Sequence, residues 1–364
     1  MAEQLFSGIQ INGLYKIFGS HPEDFIDAVK AGLSKTELLD KHAHVLGLRD
    51  INLDIPSGCI QVIMGLSGSG KSTLIRHINR LIDPTAGEVL VNGVDIVKMN
   101  DSALREFRRQ QTAMVFQKFA LLPHRTVLEN TLYGLDIQGV ARSKSTDIAM
   151  RWLDRVGLKG FEKQYPNQLS GGMQQRVGLA RALANDAPVL LMDEAYSALD
   201  PLIRVDMQTV LLDIQKEIKK TIVFITHDLD EALRLGDQIA ILRDGEIIQQ
   251  GSSQDIVLRP QDEYIANFVR EVNRGRVVEV DAVMTPFQLG HKISGPTIAS
   301  GTSLEEAAQL LCRWPEGEVA VTGANGDRIG VVNLRRVVEA MVSFQNQCQE
   351  PTRSSARPGA QAIS

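Results

Sequence analysis

The chain has 364 residues and a formal net charge of −5, with 43% hydrophobic and 23% charged residues. This length suits two or three folded domains, and the absence of a basic stripe excludes duplex nucleic acid as an expected partner. Three cysteines, Cys59, Cys312 and Cys348, lie too far apart for a disulfide framework or a zinc site. No apolar run approaches the roughly 18 residues of a membrane span, so we expect any membrane role to come through partner chains.

The N-terminal region changes character twice. After an opening segment at 9–19, residues 20–46 take a helical pattern, in which Pro22 suits a first turn and Ser34 with Glu37 forms a capping box. We interpret this stretch as a helical insertion. From Val45 to Gly93 the sequence is strand-like around one helix.

That helix follows a glycine-rich loop, which has the pattern of a phosphate-binding P-loop. Glycines let successive N–H groups face one anion, Lys71 can reach the β- and γ-phosphates of a nucleotide, and Ser72 can hold Mg²⁺. The alternative, a glycine-rich turn with an unrelated lysine, is disfavoured by the apolar strand before the loop and the helix after it. The predicted phosphate-binding residues are Gly65, Leu66, Ser67, Gly68, Ser69, Gly70, Lys71, Ser72 and Thr73.

Downstream, residues 101–165 are predicted to be mainly helical. Two short apolar runs, 189–192 and 221–225, have the composition of strands buried on both faces of a parallel sheet. A predicted helix over 202–218 separates them, as a crossover connection requires. The fold class is therefore α/β.

Asp193 and Glu194 close the first of these strands, at the edge where open α/β sheets place their ligands. Asp193 suits Mg²⁺, through water, because a hard cation prefers oxygen ligands. Glu194 is then free to accept a proton from, or orient, an attacking water. The alternative is an acidic pair at a helix entry.

Residues 169–176, Leu-Ser-Gly-Gly-Met-Gln-Gln-Arg, begin a helix that Ser170 would cap. Alone this would be only a capped helix. Together with the P-loop, Asp193 and Glu194, residues 197–200 and His227, it resembles the ATP-binding cassette (ABC) ATPases over roughly residues 9–255. The resemblance implies a P-loop NTPase cassette with a RecA-like parallel sheet core, an antiparallel β subdomain and a helical signature subdomain.

In that family each ATP lies between two subunits, so the resemblance implies a dimer with ATP and Mg²⁺ as cofactors. It also implies a role for each matching residue. Glu194 and His227 would be catalytic, Ser170, Gly171, Gly172 and Gln174 would bind the γ-phosphate in trans, Phe18 would stack on adenine, Asp200 would shape the dimer interface, and Ser72, Gln117 and Asp193 would hold Mg²⁺. Phe18 could equally be a core residue, and a single histidine at a strand end is usually structural.

Residues 15–19, the insertion, residues 64–72 and residues 197–204 resemble the ATPase subunit of glycine betaine/proline-type importers. This implies import of quaternary amines or related osmolytes such as choline or trimethylamine N-oxide. It further implies an integral membrane permease as partner, an extracytoplasmic substrate-binding protein as indirect partner, and a peripheral position on the cytoplasmic face of the cell membrane. An ABC ATPase acting on nucleic acid and a regulatory nucleotide sensor are the alternative functions.

The predicted domains are an ABC ATP-binding domain over 1–274, a second domain over 275–345, and a disordered tail over 346–364. The second domain resembles a single cystathionine-β-synthase (CBS)-type module, α+β in class. Asn333 is the polar position after Val331 and Val332, and Arg336 stands where nucleotide-binding versions often have an aspartate for the ribose. Ligand sensing and stabilisation of a dimer are both open for it.

Overall fold

A computed structural model describes residues 7–288, 293, 295–314 and 317–342. The chain divides into two compact units, Met1–Val272 and Asn273–Ser364. The predicted disordered tail over 346–364 lies outside the described residues. Within the described residues, none of the helices is long and apolar enough to cross a bilayer.

The strands and helices carry the following labels and bounds. The strands are β1 Gly8–Phe18, β2 Val45–Pro56, β3 Ile60–Met64, β4 Ala86–Val91, β5 Val94–Asp95, β6 Thr112–Phe116, β7 Val189–Asp193, β8 Thr221–Thr226, β9 Gln238–Arg243, β10 Glu246–Gly251, β11 Thr285–Pro286, β12 Thr297–Ala299, β13 Val319–Thr322 and β14 Arg328–Val332. The α-helices are α1 Ile26–Lys30, α2 Lys35–His42, α3 Lys71–Ile78, α4 Asp101–Gln110, α5 Val127–Gln138, α6 Arg142–Arg155, α7 Gly171–Ala184, α8 Pro201–Ile218, α9 Leu229–Leu235, α10 Ser253–Leu258, α11 Glu263–Phe268, α12 Arg274–Val277, α13 Leu304–Leu311 and α14 Leu334–Val342. Three short 3-10 helices cover Pro22–Phe25, Pro166–Gln168 and Val280–Ala282.

The core of the larger unit is a six-stranded sheet in the order β10-β9-β3-β8-β7-β6. Strands β9, β3, β8, β7 and β6 run parallel, and β10 pairs antiparallel with β9. Every residue of β3, β7 and β8 is buried, which explains why these strands are continuous apolar runs in the sequence. The parallel arrangement predicted for the runs at 189–192 and 221–225 is confirmed, and Asp193 itself belongs to β7.

A second sheet, in the order β2-β1-β4-β5, is antiparallel throughout. One face of β1 and β2 is buried, so that Ile11 and Leu53 join the same apolar core as Ile63 and Leu74 beside the P-loop. This shared core fixes the antiparallel sheet against the P-loop helix.

The insertion predicted at 20–46 contains a short 3-10 helix, α1 and α2. The capping box at Ser34 and Glu37 is present. The insertion packs on β1 and β2 through a small core that includes Ile17, Val29 and Leu38.

Residues 101–165, predicted as mainly helical, also contain β6, which forms the edge of the six-stranded sheet. Helices α5, α6 and α7 then pack on one another around Leu132, Ala149 and Ala184. Because α7 is the helix that Ser170 caps, this group corresponds to the signature subdomain.

The smaller unit has a four-stranded sheet in the order β11-β14-β13-β12, with α13 and α14 packed together. The predicted capping box of α13, Ser303 with Glu306, is present. Asn333 Oδ1 accepts a hydrogen bond from the backbone N–H of Arg336 at 3.0 Å, and Arg336 Nη1 donates to the carbonyl of Val283 at 3.3 Å.

Candidate nucleotide site

The glycine-rich loop connects β3 to α3, as the P-loop pattern requires. Gly65 has φ 155° and Gly70 has φ 105°, which are backbone conformations that favour glycine. A Cβ atom would lie 2.1 Å from the carbonyl oxygen of Leu242 at Gly65, and 2.8 Å from that of Gly47 at Gly70. Only glycine therefore fits these two positions, and the loop keeps the cradle shape that suits a phosphate chain.

The Lys71 side chain is buried under this loop, with 4% of its surface exposed. Its Nζ donates to the carbonyl oxygens of Gly65 at 2.8 Å and Leu66 at 3.0 Å, and lies 3.8 Å from Glu194 Oε1. Burial lowers the pKa of the Lys71 ammonium below its usual value, and the carboxylates of Glu194 and Asp193 offset part of this effect. A cation at this position is suited to hold phosphate oxygens.

Ser72 and Asp193 meet at the base of the loop. Ser72 Oγ donates to Asp193 Oδ1 at 2.8 Å, and Arg76 Nη2 lies 3.4 Å from Asp193 Oδ2. Hydroxyl and carboxylate oxygens are ligands that Mg²⁺ prefers, so this pair fits the ion. Within the described residues no group of three or more His, Cys, Asp or Glu side chains forms a metal site.

Glu194 follows β7 with φ 46°, a left-handed conformation that is uncommon for a residue with a side chain. Its carbonyl oxygen accepts hydrogen bonds from Ser197 Oγ at 2.9 Å and from Ser197 N at 3.2 Å, which hold the turn. Its carboxylate accepts a hydrogen bond from Gln117 Nε2 at 3.0 Å and lies 3.9 Å from His227 Nδ1. The chain thus brings together Gln117, Glu194 and His227 beside the P-loop.

Ser170 caps α7, since its Oγ accepts from Met173 N at 3.3 Å. Gln174 donates through Nε2 to the carbonyl of Leu169 at 3.2 Å. In the described part of the chain, the hydrogen bonds of Ser170 stay within this helix end, and none joins it to the P-loop of the same chain. The exposed Ser170 with its neighbour Gly171 is consistent with an in-trans role.

Asp200 is the residue before α8, without a side-chain cap bond, and is exposed. Leu202 and Val205 near it are 81% and 48% exposed. These exposed apolar side chains suit the predicted place of Asp200 at an interface.

Phe18 ends β1 and is 39% exposed. Its ring packs on Gly47, where a Cβ would lie 2.6 Å from Cε2, and Lys16 Nζ lies 5.1 Å from the ring centroid. Gly47 thus contacts the Phe18 ring on one side, and its carbonyl oxygen borders Gly70 on the other. Phe18 therefore lies near the end of the P-loop. This position is compatible with stacking on a base.

Three further polar residues contact the site: Arg76 lies outside the motifs used above, whereas Ser197 and Arg204 lie within residues 197–204 but had no role assigned to them. Ser197 accepts a hydrogen bond from Gln117 at 3.3 Å, and Arg76 pairs with Asp193. Arg204 pairs with Asp228, the cap of α9 directly after His227, at 2.9 Å. Arg76 could have been found from its position one helical turn after Ser72 on the same helix.

A parallel sheet with a P-loop after β3 and two carboxylates at the end of β7 defines the class of P-loop nucleoside triphosphatases. Residues 48–197 match the model of the ABC transporter family. The glycine betaine/proline betaine transport ATP-binding protein of Salmonella typhimurium is 52% identical over 93% of this chain and 83% of its own length. The trimethylamine N-oxide transport ATP-binding protein of Pelagibacter ubique is 41% identical over 93% of this chain and 98% of its own. The chain belongs to the ABC transporter family, among its transport ATP-binding proteins.

Solved structures agree with the fold of the larger unit. A dimeric bacterial ABC transporter cassette is 33% identical, with a TM-score of 0.58 over 67% of this chain and 98% of its own. A second structure, described as a dimer in a post-hydrolysis state bound to ADP and phosphate, is 32% identical with a TM-score of 0.58 over the same shares. The predicted cassette fold and ATPase class are confirmed.

Proposed function

We propose that this chain is the ATP-hydrolysing subunit of a membrane importer for quaternary amines and related osmolytes. The observation that carries the proposal is a pair of hydrogen bonds beside the P-loop, Ser72 to Asp193 at 2.8 Å and Gln117 to Glu194 at 3.0 Å, at the carboxyl ends of β6 and β7. The relatives named for transport of glycine betaine, proline betaine and trimethylamine N-oxide support this cargo class.

In the proposed site the P-loop N–H groups and Lys71 hold the triphosphate of ATP. Ser72 and Asp193, with Gln117, would hold Mg²⁺, which when bound neutralises charge on the β- and γ-phosphate oxygens. Glu194 accepts the proton of the attacking water, and His227, 3.9 Å from the Glu194 carboxylate, orients that water and the γ-phosphate. Gln117 holds the Glu194 carboxylate in place through the 3.0 Å hydrogen bond.

We propose that a second copy of the chain completes each site, since the exposed Ser170 and Gly171 and the half-buried Gly172 form a helix end whose N–H groups suit an anion. The dimeric cassettes that this chain resembles support this arrangement. Asp200 would lie at the interface, and Phe18 would stack on the adenine. We propose no nucleic-acid partner for this chain.

A permease needs a docking surface, and the larger unit has a groove of about 530 Å³ whose lining surface is mostly apolar. Met114 and Phe116 line it, together with Tyr133 and Ile137, which are 39% and 45% exposed. Phe116 directly precedes Gln117, so the groove is one residue away from the Glu194 contact. We infer that the permease docks here, at the cytoplasmic face of the membrane, with the substrate-binding protein on the other side.

The proposal is tested by reconstituting the chain in vesicles with the permease that co-purifies with it and that permease's substrate-binding protein. ATP-dependent uptake of labelled glycine betaine, carnitine or trimethylamine N-oxide is expected. Ile137→Asp in the groove should lower uptake, because a buried carboxylate would oppose an apolar contact. Met150→Asp, at a residue 39% exposed and outside the groove, is the matched control. Absence of uptake for all three amines would overturn the cargo assignment.

We propose that residues 275–345 form a single CBS-like regulatory module. Its sheet order and the two helices α13 and α14 support this, while the contacts of Asn333 and Arg336 within the module speak against a ribose site at that position.

Ending the chain at Val272 is therefore expected to leave basal ATP hydrolysis largely intact while changing its response to salt or effectors. The physical reason is that the residues of the nucleotide site all lie in the larger unit. A salt titration of the hydrolysis rate for the full and shortened chains checks this. Loss of nucleotide binding in the shortened chain would instead show that the module belongs to the catalytic fold.

A further inference from the structure

The turn that follows Gln117 has an unusual backbone. Phe119 and Ala120 are consecutive residues with φ 54° and φ 49°, in the left-handed region that side chains with a Cβ atom avoid. Such conformations persist only where the surroundings hold them, and they concentrate at functional sites. The residues that contact this turn are therefore the ones that stabilise its left-handed backbone.

Arg181, on the helix that begins after Ser170, supplies that contact. Its Nη1 donates to the carbonyl of Ala120 at 2.7 Å and its Nη2 to the carbonyl of Phe119 at 3.1 Å. A planar guanidinium is suited to two neighbouring acceptors in this way. The same helix approaches the turn closely, since a Cβ at Gly178 would lie 3.7 Å from the Phe119 carbonyl oxygen.

The two ends of the segment are also fixed. Before the turn, Gln117 Nε2 donates to Glu194 Oε2 at 3.0 Å. After it, the buried Asn130 side chain accepts from Leu122 N at 2.8 Å and donates to Leu122 O at 3.1 Å. Residues 118–121 lie between these two fixed points. If the turn lost the hydrogen bonds from Arg181, its movement would act on Gln117, the fixed point nearer the site.

We propose that Arg181 is a positioning residue for hydrolysis. Its two hydrogen bonds, which we call the Arg181 latch, hold the turn at 118–120 against α7. As a result α7, whose first turn would face a partner's nucleotide, moves together with the loop that carries Gln117. This inference rests on the proposed role of Gln117 and extends it to a residue outside the P-loop, the signature sequence and the carboxylate pair. Arg181 also lines the groove proposed for the permease, so docking there would act on the same latch.

The first experiment replaces Arg181 by methionine in the full-length chain. We expect kcat for ATP hydrolysis to fall about 10- to 100-fold, the cost of a small misplacement at a site, with the KM for ATP unchanged because the P-loop is untouched. Hydrogen exchange in the peptide 117–121 should become faster, which reports the latch without relying on activity. A KM that rises as kcat falls, or unchanged exchange, would overturn the proposal.

A second substitution separates this role from simple packing. Ala120→Gly in the Arg181→Met background should raise kcat part of the way back, because glycine adopts the left-handed conformation without a steric cost at one of the two strained positions. Ala141→Gly is the matched control, since Ala141 has φ −54° and glycine relieves nothing there. A kcat in the double variant no higher than that of Arg181→Met alone would overturn the proposal.

Gln117→Ala tests the underlying role separately. If this variant hydrolyses ATP at the wild-type rate, the role proposed for Gln117 is wrong, whereas the exchange measurement still decides whether Arg181 holds the turn. If Arg181→Met does not fold, Arg181→Lys is measured instead. Arg181→Lys is also expected to show faster hydrogen exchange at 117–121, because an ammonium lacks the coplanar N–H donors of a guanidinium. Exchange equal to that of the wild type would overturn the proposal.

Discussion

Replacing Glu194 by glutamine is expected to lower the rate of ATP hydrolysis by about 10²- to 10⁴-fold, the usual contribution of a general base. The substitution keeps the size of the side chain and leaves an oxygen that can accept from Gln117, but it removes the group that takes the proton. Lys71 and Ser72 are unchanged by it, so ATP binding should persist.

Hydrolysis is measured by phosphate release and ATP binding by isothermal titration on the same preparation. Glu217→Gln, at an exposed residue of α8 that pairs with Arg155, is the matched control and should hydrolyse ATP like the wild type. Wild-type turnover in Glu194→Gln would refute the role of Glu194, and loss of ATP binding would show that its main role is structural.

The second large effect is expected for Lys71→Met, which should weaken ATP binding about 10- to 100-fold for each charge-assisted hydrogen bond lost. Hydrolysis should fall with it. The methionine retains the apolar stem of the side chain under the loop but cannot hold phosphate oxygens. It also leaves the carbonyls of Gly65 and Leu66 without their present donor.

Titration of a fluorescent ATP analogue gives the dissociation constants of wild type and variant. Lys216→Met, at a lysine whose side chain is 77% exposed, is the control for loss of one positive charge. If Lys71→Met binds ATP as tightly as Lys216→Met does, the loop at 65–72 is not the phosphate site.

Much of the fold could be predicted because its signals are local. The P-loop lies between its strand and helix within a few residues, and the capping boxes at Ser34 and Ser303 need only a partner three residues away. The runs that became β7 and β8 are apolar along their whole length, because both faces of a central parallel strand are buried. Strand β6 is harder to recognise because it lies among helices and only part of it is fully buried.

The contacts within the site are different, because they join distant parts of the chain. Ser72 and Asp193 are 121 residues apart, and Gln117 and Glu194 are 77 apart. The resemblance to a family suggested these residues, but no periodicity predicts their hydrogen bonds. The bonds from Arg181 to Phe119 and Ala120 had no sequence signal, since the left-handed turn contains no glycine or asparagine.

The central claim is that two copies of this chain enclose each ATP, and the mass of Glu194→Gln in solution tests it most directly. Sedimentation with ATP and Mg²⁺ should give twice the mass of one chain, because slow hydrolysis retains the nucleotide that joins the two copies. Adding Ser170→Arg should return the single-chain mass, since an arginine at the helix end blocks the in-trans contact. A monomer in both variants, or an ATP-dependent dimer that persists with Ser170→Arg, would contradict the account.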